Sequence, residues 1–135
     1  MSYVRFYYPV LLSMVFYASC GHYNTFPKER SSGLDEPAAL KALIDAGKTV
    51  EAGDFRIVDV RPESKYVKGH IPTATNLPNG NLETSSAPPP KDKLIIVYCE
   101  TGGRAEMAAK KMGKAGYTHI FNWGGFGKWT YPAEK

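Results

Sequence analysis

Cysteine is scarce in this chain: Cys20 and Cys99 are the only two in 135 residues. Neither has a second thiol nearby to act as a resolving partner, which argues against a disulfide oxidoreductase of the thioredoxin kind. Charge of one sign is lacking too. The 17 Lys and Arg against 13 Asp and Glu leave a net charge of +4 that is spread along the chain. No basic groove interleaved with aromatics marks a nucleic-acid module. There is no internal repeat and no nucleotide-binding glycine motif, and the apolar run Pro9 to Ala18 is too short to span a membrane. A chain of this length can still bury about two-thirds of its unfolded surface, enough for one core without disulfide or metal staples.

What is present centres on Cys99-Glu100-Thr101-Gly102-Gly103-Arg104. The preceding Leu94-Ile95-Ile96-Val97-Tyr98 is a continuous apolar, β-branched run, the pattern of a strand buried on both faces. Cys99 then sits at the strand's carboxyl end. Two glycines follow, letting the backbone curl and aim successive N–H groups into one concavity. Beyond them Ala105, Ala108, Ala109, Met112 and Ala115 keep helical spacing, with Gly116 placed to cap the end. Unpaired amides at a helix start and a cation such as Arg104 favour a thiolate at Cys99. The competing reading is a small buried hydrophobe, because free cysteine is among the most buried residue types. A purely structural thiol, however, needs no anion-shaped loop.

Six motifs along Leu34 to Trp129 together resemble a single rhodanese-like domain. They are Ile57-Val58-Asp59-Val60-Arg61, Gly69-His70-Ile71-Pro72, Ala74-Thr75-Asn76-Leu77-Pro78, Ile96-Val97-Tyr98-Cys99 with its loop, Ala115-Gly116-Tyr117, and Gly124-Gly125-Phe126-Gly127-Lys128-Trp129. The resemblance implies an α/β fold, a central parallel sheet flanked by helices on both faces. It also implies a cysteine that accepts sulfane sulfur and carries it as a persulfide, with no metal or organic cofactor. Members with four residues between Cys and Arg handle sulfur, whereas related phosphatases have five. This chain has four, Glu100 to Gly103. The expected reaction is sulfur transfer from a small sulfane-sulfur donor, or a partner protein, to a thiol or cyanide. A non-catalytic binding module that docks a protein, and less so a phosphatase, are the alternatives.

Glu100 departs from the thiosulfate-using pattern, which places basic residues in the loop. Its carboxylate would repel a dianionic donor and disfavour the Cys99 thiolate, pointing to polysulfide or a protein persulfide as the better donor. Glu100, Thr101, Gly102, Gly103 and Arg104 are the expected substrate-binding loop, with Arg104 helping to close it. Asp59 and Arg61 are expected as a supporting ion pair under that loop. His70 is expected to be structural, and Trp123 and Trp129 to pack in the core or rim.

The remaining elements read as a helix over Glu36 to Ala46, with Asp35 as N-cap, Pro37 in the first turn and Gly47 beyond the end. A strand follows over Phe55 to Val60. An extended surface loop is expected from Asn79 to Pro90, then a short strand over His119 to Asn122 and a closing helix near Phe126 to Thr130. Lys110, Lys111 and Lys114 place a basic patch on the helix after Cys99. Residues 1–20 have the charge, length and small-residue ending of a signal peptide or lipoprotein-type leader, with Tyr17-Ala18-Ser19-Cys20 offering Cys20 for lipidation. Residues 21–33 form a polar linker, and 34–135 the domain. The expected location is therefore exported, periplasmic or tethered to a membrane by the N-terminus, with the cytoplasm as the alternative.

Overall fold

The computed structural model describes residues 34–49 and 55–135. The expected leader, linker and Cys20 lie outside those residues.

Strand β3, Leu94–Cys99, is the middle of the molecule, and every residue of it from Ile95 onward is buried. Its β-branched side chains suit a pleated surface packed on both sides. β1 (Phe55–Asp59) runs parallel to it in register from Phe55 opposite Leu94 to Asp59 opposite Tyr98. The two-residue β2 (Thr75–Asn76) lies on the far side of β1. β4 (Ile120–Gly125) lies on the other side of β3, giving the all-parallel order β2-β1-β3-β4. The β3–β4 register slips after Val97, so that Val97 faces Asn122 but Tyr98 faces Gly124. This bulge at Trp123 sets Gly124 and Gly125 beside Tyr98 and Cys99.

Alternation along β3 splits the core into two faces. Ile95, Val97 and Cys99 pack with Ala105, Ala108 and Met112 of helix α3, Gly103–Lys114. Ile96 and Tyr98 pack with Leu40 and Ile44 of helix α1, Pro37–Thr49, and with Trp123 and Trp129. Helices thus cover both faces of a parallel sheet, as the resemblance implies. Between β1 and β2 there is also a single-turn helix, α2 (Glu63–Tyr66). α3 ends in a paired-hydrogen-bond cap: the Tyr117 N–H donates to the Met112 carbonyl and the Gly116 N–H to that of Gly113, with Gly116 at φ +96°.

Several boundaries differ from expectation. α1 runs through Gly47 to Thr49, because Gly47 is a packing position: a Cβ there would stand 2.9 Å from the Phe55 ring. The helix starts at Pro37 after Glu36, whose carbonyl accepts from the Leu40 N–H, so Asp35 is one residue too early to be the cap. β4 outlasts the expected strand, since its bulge lets pairing resume at Gly124. The closing helix is one 3₁₀ turn, Phe126–Lys128. The expected extended loop begins with two 3₁₀ turns, Pro78–Gly80 and Leu82–Thr84. Gly80 anchors the first by lying against Ala108.

Candidate active site

Parallel strands bring their carboxyl ends to one edge of the sheet, where open α/β folds bind ligands. Here that edge carries Asp59, Cys99 and Gly125. Cys99 is 1% exposed, and its Sγ accepts a hydrogen bond from the Gly102 N–H at 2.9 Å. The chain therefore turns back on the sulfur within three residues. Gly102 makes this turn at φ +105°, in the left-handed region, before α3 begins. A Cβ on Gly102 would also lie 3.4 Å from the Gly124 Cα. Gly103, by contrast, opens α3 with nothing within 4 Å of where its Cβ would be. Of the two loop glycines, Gly102 is the one that geometry requires.

β4 supplies the wall behind the loop. A Cβ on Gly125 would lie 2.6 Å from the Glu100 carbonyl oxygen, so only glycine permits this approach. Asn122 ties the same surfaces together: its side-chain oxygen accepts from the Gly124 N–H at 3.0 Å, and its amide reaches the Gly102 carbonyl at 3.4 Å. Sequence reasoning missed Asn122. An amide three residues ahead of Gly125, at a strand end, was its only signal.

Beneath the loop lies a buried polar cluster. Asp59 accepts from the Arg61 backbone N–H (2.9 Å), from Arg61 Nε (3.0 Å) and Nη2 (2.6 Å), and from the Tyr98 hydroxyl (2.7 Å). Arg61 Nη2 also donates to the Gly69 carbonyl at 2.7 Å, and its guanidinium lies 4.1 Å from the centre of the Phe126 ring. The Tyr98 hydroxyl accepts from the Ile71 N–H at 3.0 Å. Burial works to lower the Arg61 pKa, but the hydrogen bonds and charge of Asp59 outweigh it, and the net direction is upward. Burial, then the Asp59 carboxylate, push the Tyr98 hydroxyl well above the ordinary tyrosine range. Asp59 and Arg61 thus form the expected ion pair. Tyr98, which completes it from the opposite face of β3, was visible to sequence reasoning only as a core residue.

The outer loop is open. Glu100 is about half exposed, with its carboxylate 3.9 Å from Arg61 Nη1. Thr101 is exposed. Arg104 is exposed as well and its side chain, among the described residues, has no hydrogen bond or ion pair; it lines a surface depression with Asn79, Met107 and Lys111 instead of bonding to the loop. His70 stacks on Tyr66 (3.8 Å between ring centres), and its backbone exchanges hydrogen bonds with Glu134. This is a structural position. Trp123 and Trp129 are buried in the α1-side core. Among the described residues no cluster of three His, Cys, Asp or Glu side chains is close enough to hold a metal ion.

A thiol on a strand end, under a tight loop that opens a helix, beside a buried Asp–Arg pair, defines a class. The profile of the family described as "Rhodanese-like domain" matches residues 36–131. The chain belongs to that family. It is 30% identical over 87 residues to the thiosulfate sulfurtransferase GlpE of Coxiella burnetii, a match covering 64% of this chain and 81% of that protein. It is 31% identical over 80 residues to the thiosulfate sulfurtransferase PspE of Escherichia coli, covering 58% and 77%. YrkF of Bacillus subtilis, named a "Putative sulfur carrier protein", is 31% identical over 109 residues, 78% of this chain and 56% of YrkF, so the chain spans just over half of that relative. Among solved structures, the Alr3790 protein from Anabaena superposes with a TM-score of 0.62 at 29% identity, covering 73% of this chain and 78% of that one. A rhodanese from E. coli with anions superposes with a TM-score of 0.53 at 30% identity, covering 60% and 98%.

Proposed function

We propose that the protein is a sulfurtransferase that carries sulfane sulfur as a persulfide on Cys99. The observation that carries this reading is the Gly102 N–H donating to Cys99 Sγ inside a four-residue loop. An amide aimed at sulfur stabilises negative charge there and on the sulfur added to it. In the first step the Cys99 thiolate attacks the outer sulfur of a donor. With thiosulfate, the sulfur–sulfur bond breaks and sulfite leaves with the bonding pair. With a persulfide, the leaving group is the donor's thiolate. In the second step an acceptor thiolate attacks the outer sulfur of the Cys99 persulfide, forming the acceptor persulfide and returning the Cys99 thiolate. Cyanide in the same role leaves as thiocyanate. The Gly102 amide would hold the charge on the sulfur, the rest of the loop from Glu100 to Arg104 would enclose the substrate, and the Asp59–Arg61 pair would support it. The names of GlpE and PspE support transfer from thiosulfate, while Glu100 favours a donor of lower charge.

The test is intact-protein mass spectrometry after exposure to thiosulfate, polysulfide or mercaptopyruvate. The native protein should gain the mass of one sulfur atom, removable by cyanide, and Cys99→Ser should gain none. No added sulfur with any donor would return the protein to the class of binding modules. Hydrolysis of an aryl phosphate would point instead to a phosphatase, and none is expected.

A further inference from the structure

The outer flank of α3 beside the Cys99 loop carries charge that makes no ion pair among the described residues. Arg104, Met107, Lys111 and Lys114 follow one another at intervals of three and four, which puts them on one stripe of the helix. All four are exposed, Met107 at 63%. Facing the stripe are the turns Pro78–Gly80 and Leu82–Thr84, held close because Gly80 has no Cβ; one there would lie 2.6 Å from that of Ala108. Between them runs a groove. A depression of about 190 Å³, lined by Asn79, Arg104, Met107 and Lys111, adjoins one of about 450 Å³ that reaches Leu82 and Lys114, with Lys111 common to both.

The groove is long and cationic. Lys114 lies ten helical rises beyond Arg104, about 15 Å, a span matched by roughly five residues of extended chain. Among the described residues neither the Arg104 nor the Lys114 side chain has a hydrogen bond or ion pair, and the Lys111 side chain reaches only the Asn79 carbonyl at 3.3 Å. The one carboxylate of α3, Glu106, lies on the other flank, 3.5 Å from Lys110. Glu83 is the single carboxylate lining the groove, against three cations.

We propose that this groove docks an extended acidic segment of the protein that exchanges sulfur with Cys99, with Met107 receiving one apolar side chain of that segment. The inference rests on the sulfurtransferase reading and names its partner class. Three observations favour a protein over another polyanion. The groove offers no aromatic ring on which a base would stack. An exposed thioether adapts to varied apolar side chains. The groove also ends at Arg104, the last residue of the Cys99 loop, so a chain lying in it delivers a thiol to the loop's mouth. A small donor would leave such a groove empty.

The experiment loads Cys99 with sulfur from polysulfide and offers two synthetic peptides of equal length, each ending in cysteine. One carries several glutamates and a leucine; in the other each glutamate is lysine. Transfer is followed by mass spectrometry, and binding of the same peptides, dye-labelled, by fluorescence anisotropy. The acidic peptide should accept sulfur with kcat/KM about tenfold higher at low salt, a difference of about 1.4 kcal/mol. That advantage should vanish near 1 M salt, where the screening length falls to about 3 Å. The double variant Lys111→Glu, Lys114→Glu should lose the preference while still loading from polysulfide and unloading to free cysteine at native rates. Met107→Ser should weaken the acidic peptide alone. Equal use of both peptides, or a preference that survives charge reversal at positions 111 and 114, overturns the proposal, as does tighter binding of a single-stranded oligonucleotide at the same residues. Failure of Cys99 to load would count against the sulfurtransferase reading only, since anisotropy still reports whether the groove holds the acidic peptide.

Discussion

Gly125 and Glu100 meet backbone to backbone: a Cβ on Gly125 would stand 2.6 Å from the Glu100 carbonyl oxygen and 3.1 Å from the Cα of Thr101. No flexible side chain can swing away to relieve that contact. Gly125→Ala must therefore push the loop off β4 and draw the Gly102 amide away from Cys99 Sγ. Such overpacking costs about 1–3 kcal/mol of stability, and the rate of persulfide formation should fall at least about tenfold. Gly127→Ala, two residues on and with open space around its Cβ, is the control and should load normally. Stopped-flow loading with polysulfide, paired with thermal melts, checks both; a Gly125→Ala protein that loads at the native rate refutes the wall.

This contact shows where sequence reading reaches its end. The strand run at Leu94 and the glycines after Cys99 are local signals, and the thiol's position follows from them; the fold class comes from the resemblance that the six motifs carry together. The Asp59–Arg61 pair was legible from the motif around β1. Gly125, Asn122 and Tyr98 act on the site across strand pairs: Tyr98 lies opposite Asp59 in the β1–β3 register, while the place of Gly125 beside Cys99 depends on a one-residue slip in the β3–β4 register that no local pattern encodes. Gly47 misled for the same reason: near a helix end, glycine signals a cap, whereas here it makes room for Phe55 from the next element.

Tyr98 gives the fold a signature in alkali. Its hydroxyl, with its pKa held well above the ordinary value of about 10, keeps its proton in the folded state at a pH where the unfolded chain has lost it. Its contribution is complete below about pH 10 and is lost as pH rises, at about 1.4 kcal/mol per pH unit. Tyr66 and Tyr117, whose pKa values are also raised by burial, add to the same trend. Tyr98→Phe should cost about 1–3 kcal/mol at neutral pH, because the Ile71 N–H loses its acceptor and Asp59 a donor. It should also flatten the alkaline slope by about one proton. Urea midpoints of native and variant protein from pH 8 to 11 measure both, and parallel curves would show that Tyr98 does not carry the effect.

The N-terminal leader is a proposal of a different kind. Residues 1–20 end in Ala18-Ser19-Cys20, and export should remove the segment before Cys20. Expressed with its leader in a bacterium, the chain should lose that mass and fractionate with the envelope, and Cys20→Ser should shift it from membrane to soluble periplasm. Recovery of the intact chain from the cytoplasm would refute export.

Glu100 should bias the choice of donor. Arg61 lies 3.9 Å from its carboxylate, yet Arg61 is already committed to Asp59, so the trio of Asp59, Arg61 and Glu100 keeps one net negative charge at the loop's mouth. In water that charge costs an approaching anion about 1 kcal/mol per unit charge at a few ångströms. A thiosulfate dianion feels it twice as strongly as a monoanionic persulfide. Glu100→Gln should therefore raise kcat/KM for thiosulfate about fivefold or more at low salt and about half as much, on a logarithmic scale, for the persulfide. The gain should shrink as ionic strength rises, because Glu100 is half exposed and screened. Parallel turnover assays with both donors at low and high salt decide the matter: equal gains for the two donors, or no gain with thiosulfate, would mean that the carboxylate points away from the donor's path and that selectivity is set elsewhere.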